Sequence, residues 1–241
     1  MTAFEMAIQD PQGLAVAARV RPARMELCAA LSTGGVTPSA GFIESAVETG
    51  VPVHVLIRPR EGGFVHSPDE TALILADVRH ALRLGAAGVV IGGLLADGSV
   101  DGELVRRARD LADDAEVTFH RAFDQAADLD AALDALIEAG ATRVLTSGGR
   151  PSAAEALDVF PRLVERAAGR IEVMAGAGVT SANAAAIAAT GVDAVHASAK
   201  RTVTSTLAVS LGSGAGAGET SYTTADEAEA TAIRDVLGPV L

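Results

Sequence analysis

The chain has 241 residues, is 49% apolar and carries 25 glycines, enough to bury a large core and too apolar for a disordered chain. Its formal net charge of −12, with no basic stripe, argues against nucleic acid and anionic membrane as partners. No apolar run reaches the length of a membrane span.

Met1 to Asp10 carries Glu5 and Asp10 rather than a basic region, which predicts that no signal peptide is present. Cys28 is the only cysteine, so no intrachain disulfide can form, and the cytoplasm is the expected compartment.

In chain order, Phe4 to Ile8 reads as a first strand. Asp10-Pro11 then supplies an N-cap and a first-turn proline for a helix to about Val20. Arg24 to Ala29 reads as a second strand running into the glycine loop Gly34-Gly35, and Thr37-Pro38 starts a helix ending near Gly50. Val53 to Ile57 is a third strand, closing on Arg58-Pro59-Arg60. Ser67-Pro68-Asp69-Glu70 has capping-box spacing and opens a long helix to Leu84-Gly85. Gly88 to Ile91 is a fourth strand, and Asp101 starts the next helix. The fifth strand ends in Phe119-His120-Arg121, with a helix from about Asp128 to Gly140 behind it.

Arg143 to Thr146 is a sixth strand, running into Ser147-Gly148-Gly149. Pro151-Ser152 opens a helix that Pro161 should break or kink. Ile171 to Met174 is a seventh strand, followed by Ala175-Gly176-Ala177-Gly178 and a short alanine-rich helix capped by Thr180 or Ser181. Asp193 to Ala197 is an eighth strand, with Lys200 in the loop behind it. The Gly/Ser/Thr-rich segment 210–224 reads as a mobile loop, and 226–237 as a closing helix.

Strands and helices alternate eight times, which predicts an α/β fold: a single-domain (β/α)₈ TIM barrel over residues 1–241. The competing open doubly wound sheet needs a glycine fingerprint after the first strand, where this chain has Ile8-Gln9-Asp10-Pro11.

Side chains two apart on a strand share a face. That parity sends Glu5, Glu26, Arg58, His120, Glu172 and His196 into the barrel, with His54 and Arg60 falling on the same face as Arg58, while Leu27, Val55, Phe119, Val173 and Val195 face the helices. Any one of these ions could be half of a structural pair, such as Glu26 with Arg58. Ions arriving from so many strands point to a site at the C-terminal mouth, because an unpaired buried charge is costly. Glu26, Arg58, His120, Glu172 and His196 are therefore candidate catalytic groups. Arg60, Arg121, Gly148, Gly176, Gly178, Ser198 and Lys200 are candidate anion-binding positions, since late barrel loops often cradle phosphate. Cys28 is a small core residue or a soft-metal ligand; near Met174 and His120 or His196 its thiolate could hold Cu(I).

Several stretches together resemble the CutC family of copper homeostasis proteins. They are Met25-Glu26-Leu27-Cys28-Ala29, Gly34-Gly35-Val36-Thr37-Pro38-Ser39, Ile57-Arg58-Pro59-Arg60, Val117 to Asp124, Leu145-Thr146-Ser147-Gly148 and His196-Ala197-Ser198-Ala199, in order from about Phe4 to Lys200. The resemblance implies a TIM barrel, a cytosolic location, a homo-oligomer (dimer or tetramer) and copper handling, with Cu(I) held by cysteines on the first two strands. The second-strand cysteine corresponds to Cys28. Ala7 occupies the first-strand position, so one chain offers one thiol. The run after strand seven, Met-Pro-Gly-Gly-Gly in the family, reads Met174-Ala175-Gly176-Ala177-Gly178.

Two functions follow. One is a copper-binding protein that is not an enzyme, resting on the resemblance and Cys28. The other is an enzyme acting on a small phosphorylated or carboxylated metabolite. There the carboxylates serve as general acid and base, His120 as proton shuttle and the arginines as anion clamp. A divalent metal held by Glu26 and Glu172 is a further option in that scheme.

Overall fold

The computed structural model describes residues 2–206 and 219–238. Eight parallel strands close into a barrel, each hydrogen-bonded to its neighbours in sequence and the last to the first. They are β1 (Ala3–Ile8), β2 (Arg24–Leu27), β3 (Val53–Leu56), β4 (Gly88–Ile91), β5 (Glu116–Phe119), β6 (Arg143–Thr146), β7 (Glu172–Ala175) and β8 (Ala194–Ala197). The helices behind them are α1 (Pro11–Val20), α2 (Ala40–Val47), α3 (Pro68–Arg83), α4 (Gly102–Ala112), α5 (Leu129–Glu138), α6 (Phe160–Ala167), α7 (Ala184–Ala188) and α8 (Glu227–Leu237). The expected (β/α)₈ TIM barrel is the observed fold.

Capping chemistry sets many of the helix starts. Asp10, Asp101, Asp128 and Asp226 each accept a backbone N–H at the first turn of α1, α4, α5 and α8. Ser67 and Glu70 form the expected capping box at α3. Three readings are corrected. Ser39, not Thr37, caps α2, which begins at Ala40. Pro161 starts α6 rather than breaking a helix, because its missing N–H falls where a helix has no internal acceptor. Residues 219–224 are not a loop: β10 (Glu219–Ala225) pairs antiparallel with β9 (Lys200–Thr206), and threonines suit such a ribbon. Residues 210–218 of that expected loop lie outside the described residues.

The ribbon is fastened to the first barrel loop. Gln9 Nε2 donates to the Thr223 carbonyl at 2.8 Å, and Thr224 Oγ1 donates to Asp10 at 2.8 Å. Behind it α8 packs on α1 and α7.

The apolar core lies between strands and helices, where Ile8, Leu27, Val55, Ile91, Phe119, Val144, Val173 and Val195 are buried. Inside the barrel, the described apolar side chains form two small groups, Cys28–Leu56–Val90 and Leu145–Met174–Ala194. Ionic groups fill much of the remaining interior, and that is what positions the site.

Candidate functional site

The barrel interior is ordered by height. At the N-terminal end Arg143 is 1% exposed and spans the bottom. Its Nη2 lies 2.6 Å from Glu172 and 2.7 Å from Glu116, and Nη1 donates to Thr118 Oγ1 at 3.1 Å. Both carboxylates reach solvent, with side chains 48% and 44% exposed. His54 Nε2 faces Glu116 at 3.5 Å, and burial pulls its pKa down to about 4. Glu172 therefore does not belong to the mouth. It is the first residue of β7, facing inward as parity required but at the opposite end of the barrel from Glu26 and His196.

One layer higher, Glu5 is fully buried between two partners. Arg24 Nε donates to Oε2 at 2.6 Å, and His196 Nδ1 meets Oε1 at 2.8 Å. Burial pushes the Glu5 pKa up, but the hydrogen bond from His196 and the charge of Arg24 outweigh it and hold this carboxyl well below the usual range. As an anion Glu5 can only accept, so His196 carries its proton on Nδ1 and turns Nε2 away. Glu26 stands beside them: one ligand atom from each of Glu5, Glu26 and His196 lies within 4.8 Å of the others. Glu26 is 5% exposed, and its Oε2 has no hydrogen-bond partner among the described residues. Burial raises its pKa to about 7, with the charge of Glu5 adding to the rise and His196 opposing it. Burial lowers the His196 pKa, but Glu26 and Glu5 more than reverse this. The expected Glu26–Arg58 pair is not formed; Arg24 pairs with Glu5 instead.

Above this floor a cavity of about 940 Å³ opens at the C-terminal mouth, lined by Glu26, Arg58, His120, Arg121, His196, Ser198 and Lys200 among others. His120 lies against Gly92, where a Cβ would come within 2.1 Å of the imidazole. The glycine just after β4 thus makes the room that the histidine just after β5 fills. His120 Nδ1 accepts the Ala122 N–H at 3.1 Å. Burial and the nearby Arg58 charge press its pKa down to about 3, so the ring is neutral. Arg58 donates to the carbonyls of Thr33, Gly35 and Gly62 at 2.7–3.1 Å, tying two mouth loops together, and meets no carboxylate among the described residues. Phe64 covers both, 5.1 Å from the guanidinium and 4.8 Å from the imidazole centre.

The expected anion positions divide. Arg60 is turned outward, paired with Glu70. The loop bearing Gly148 already holds an anion of the chain itself. Asp124 accepts from Thr146 Oγ1 at 2.5 Å and from the N–H groups of Ser147 and Gly149 at 3.0 Å, with Arg121 at 2.9 Å. Gly176 does not line the cavity; it makes room for Leu145 and His196. Gly178, Ser198 and Lys200 do line it. Lys200 opens β9 rather than sitting in a free loop, and it has no carboxylate partner among the described residues. Arg150 also lines the mouth, as does Phe64, and neither was singled out from sequence. Of the missed groups, Arg24 and Arg143 share parity with Glu26 and Leu145, so the same alternation could have found them.

Cys28 does not fit Cu(I). Its thiol is buried against Leu56 and Val90, and burial together with the charges of Glu26 and Asp10 pushes its pKa far up, which keeps the ligating thiolate from forming. Met174 sulfur is engaged by Arg24 at 3.4 Å. The cluster of Glu5, Glu26 and His196 is an oxygen-rich donor set without sulfur, unlike a soft-metal site. Both Glu5 oxygens are already engaged, so that set would offer an ion Glu26 and one imidazole nitrogen.

Residues 2–201 match the model of the CutC family. A CutC family protein of Agrobacterium fabrum is 49% identical over 73% of this chain and 70% of its own length. One of Pasteurella multocida is 42% identical over 82% of each chain. The crystal structure of a putative copper homeostasis protein CutC from Streptococcus agalactiae superposes with a TM-score of 0.77 at 33% identity, covering 82% of this chain and 99% of that one. An aldolase structure, 19% identical with a TM-score of 0.60 over 80% of this chain and 89% of its own, shares the fold alone. Among the described residues no helix is long and apolar enough to cross a membrane.

Proposed function

The chain belongs to the CutC family, and we propose that it acts on a small phosphorylated or carboxylated metabolite by acid–base chemistry at the barrel mouth. The observation that carries this reading is Glu26: a buried carboxyl with an unpartnered oxygen, lining the cavity, with its pKa raised to about 7. A carboxyl poised there exchanges protons near neutrality. His196 is its partner, held by Glu5 through Nδ1 with Nε2 left for a ligand. Gly178, Ser198, Lys200 and Arg121 line the cavity, and we assign the anionic group to them. Copper handling, the role in the name of the streptococcal relative, has weaker support here, since this chain's single thiol is buried and protonated. The buried free cysteine suits the cytoplasm, and the homo-oligomer follows from the family resemblance.

The test is a thermal-shift screen of anionic metabolites followed by turnover assays. A phosphorylated or carboxylated compound should raise the melting temperature, Lys200→Ala should weaken its binding, and Glu26→Gln should keep binding while losing turnover. If no anion shifts the melt, the reading fails.

A further inference from the structure

Two buried hydrogen-bond donors in the cavity wall have no acceptor among the described residues, and they come from neighbouring parts of the mouth. One is His120 Nε2 and the other is Arg58 Nε. Each residue is 6% exposed, and each lines the cavity.

The protonation of His120 follows from geometry. Its Nδ1 accepts the backbone N–H of Ala122, so that nitrogen carries no hydrogen. In the neutral ring the proton must then sit on Nε2, which makes Nε2 a donor. The ring stays neutral because it is buried beside the Arg58 guanidinium, which no carboxylate offsets at contact distance. Arg58 in turn is fixed by carbonyls at both of its terminal nitrogens, leaving Nε–H over. A buried donor without an acceptor is costly, and such groups in native proteins mark a ligand or a catalytic role. Two of them, one cationic and one a neutral imidazole held by its backbone, make an arrangement that stabilises an oxygen gaining negative charge.

We infer that His120 Nε2–H and Arg58 Nε–H form an oxyanion hole for a carbonyl oxygen of the substrate, and that the reaction begins with proton removal from the carbon beside that carbonyl. The inference rests on the acid–base reading above and narrows it to carbonyl compounds, namely 2-oxo acids and phosphorylated hydroxy-carbonyl metabolites. The Glu26 carboxylate takes the proton. The C–H electron pair becomes the carbon–carbon double bond, and the carbonyl π pair moves onto oxygen, where His120 and Arg58 hold the charge. Return of the proton from Glu26 to the same carbon restores the carbonyl form and regenerates the carboxylate. Where that carbon bears a hydroxyl, the hydroxyl proton moves to the former carbonyl oxygen and the new carbonyl forms at the hydroxyl carbon. The proton from Glu26 then goes to the neighbouring carbon to give the isomer. Phe64 covers both donors from a loop that carries Gly62 and Gly63, and its edge is what a substrate oxygen displaces.

The experiment has two arms. In the first, oxalate, a planar mimic of an enolate, is titrated into protein carrying ¹⁵N-labelled histidine. The expected result is a shift of the His120 Nε2 resonance, retained in Glu26→Gln. Oxalate binding that leaves His120 unmoved overturns the inference, and so does the absence of oxalate binding. In the second arm, pyruvate, 2-oxobutyrate, dihydroxyacetone phosphate and glyceraldehyde 3-phosphate are incubated in D₂O and carbon-bound deuterium is followed by NMR. At least one should exchange above the buffer rate. His120→Ala should slow this exchange by about 10²–10³-fold, His120→Gln, which keeps an N–H at that reach, should recover part of it, and Arg58→Lys, which lacks Nε–H, should also slow it. Exchange that depends on Glu26 but not on His120 or Arg58 removes the oxyanion hole while leaving the acid–base site standing. No exchange by any compound, together with no anion in the thermal-shift screen, removes both.

Discussion

Glu5 Oε1 and His196 Nδ1 meet at 2.8 Å across the seam where the first and last barrel strands pair, in a register that puts the two residues opposite each other. The contact fixes the imidazole tautomer and supplies its charge partner, while Arg24 holds the other Glu5 oxygen at 2.6 Å. Glu5→Gln keeps the shape and removes the charge. It should cost about 3–5 kcal/mol, the usual result of breaking one side of a buried ion pair. His196 should also titrate at lower pH, because Glu5 is among the groups that raise it. Chemical denaturation and histidine NMR measure the two effects, and an unmoved His196 titration would contradict the assigned contact.

Glu26 sets a pH dependence on the alkaline side. Its folded-state pKa, near 7, exceeds the unfolded value, so the folded protein binds the proton more tightly. This contribution is fully present below about pH 4.3 and is lost as pH rises to about 7, amounting to on the order of 3 kcal/mol. Glu26→Gln, which cannot ionise, should therefore stabilise the protein at pH 8 and leave it nearly unchanged at pH 4. Equal shifts at both pH values would mean that Glu26 is not held protonated by its surroundings.

His54 works in the opposite direction. It is buried at the barrel bottom and its pKa is depressed to about 4, so the unfolded chain binds its proton more readily. Its contribution is present above about pH 6.5 and lost as pH falls to about 4, again on the order of 3 kcal/mol. His54→Gln should flatten the acid limb of the melting-temperature profile over that interval. A variant whose acid limb matches wild type would transfer that slope to His120, the other buried histidine with a depressed pKa.

Parity along each strand placed Glu5, Glu26, His54, Arg58, His120 and His196 inside the barrel, because alternation is a property of the extended backbone itself. Height is not carried by parity. Glu172 shares the inward face with Met174 but begins its strand, so it lies at the bottom with Arg143, and only the stagger of the closed sheet decides that. The Gly148 loop shows a second limit. Its N–H groups do bind an anion, but the anion is Asp124, which comes from behind another strand. Phe64 lies in an irregular loop after β3, where no periodicity reports that it lands on Arg58 and His120.

Cys28 decides between copper and metabolite chemistry. Its sulfur is buried beside Leu56 and Val90, with the Glu26 and Asp10 charges helping burial to keep it protonated. A cysteine ligates Cu(I) as its thiolate and needs a second soft partner, and the Met174 sulfur is already engaged by Arg24. Titration of Cu(I) against a competing chelator should therefore give equally weak binding by wild type and Cys28→Ala. The substitution itself should cost only about 1 kcal/mol, as for a small buried side chain truncated by one atom. Tight Cu(I) binding by wild type that Cys28→Ala abolishes would reverse the assignment, and it would require the Cys28 layer of the barrel to open so that the thiol ionises.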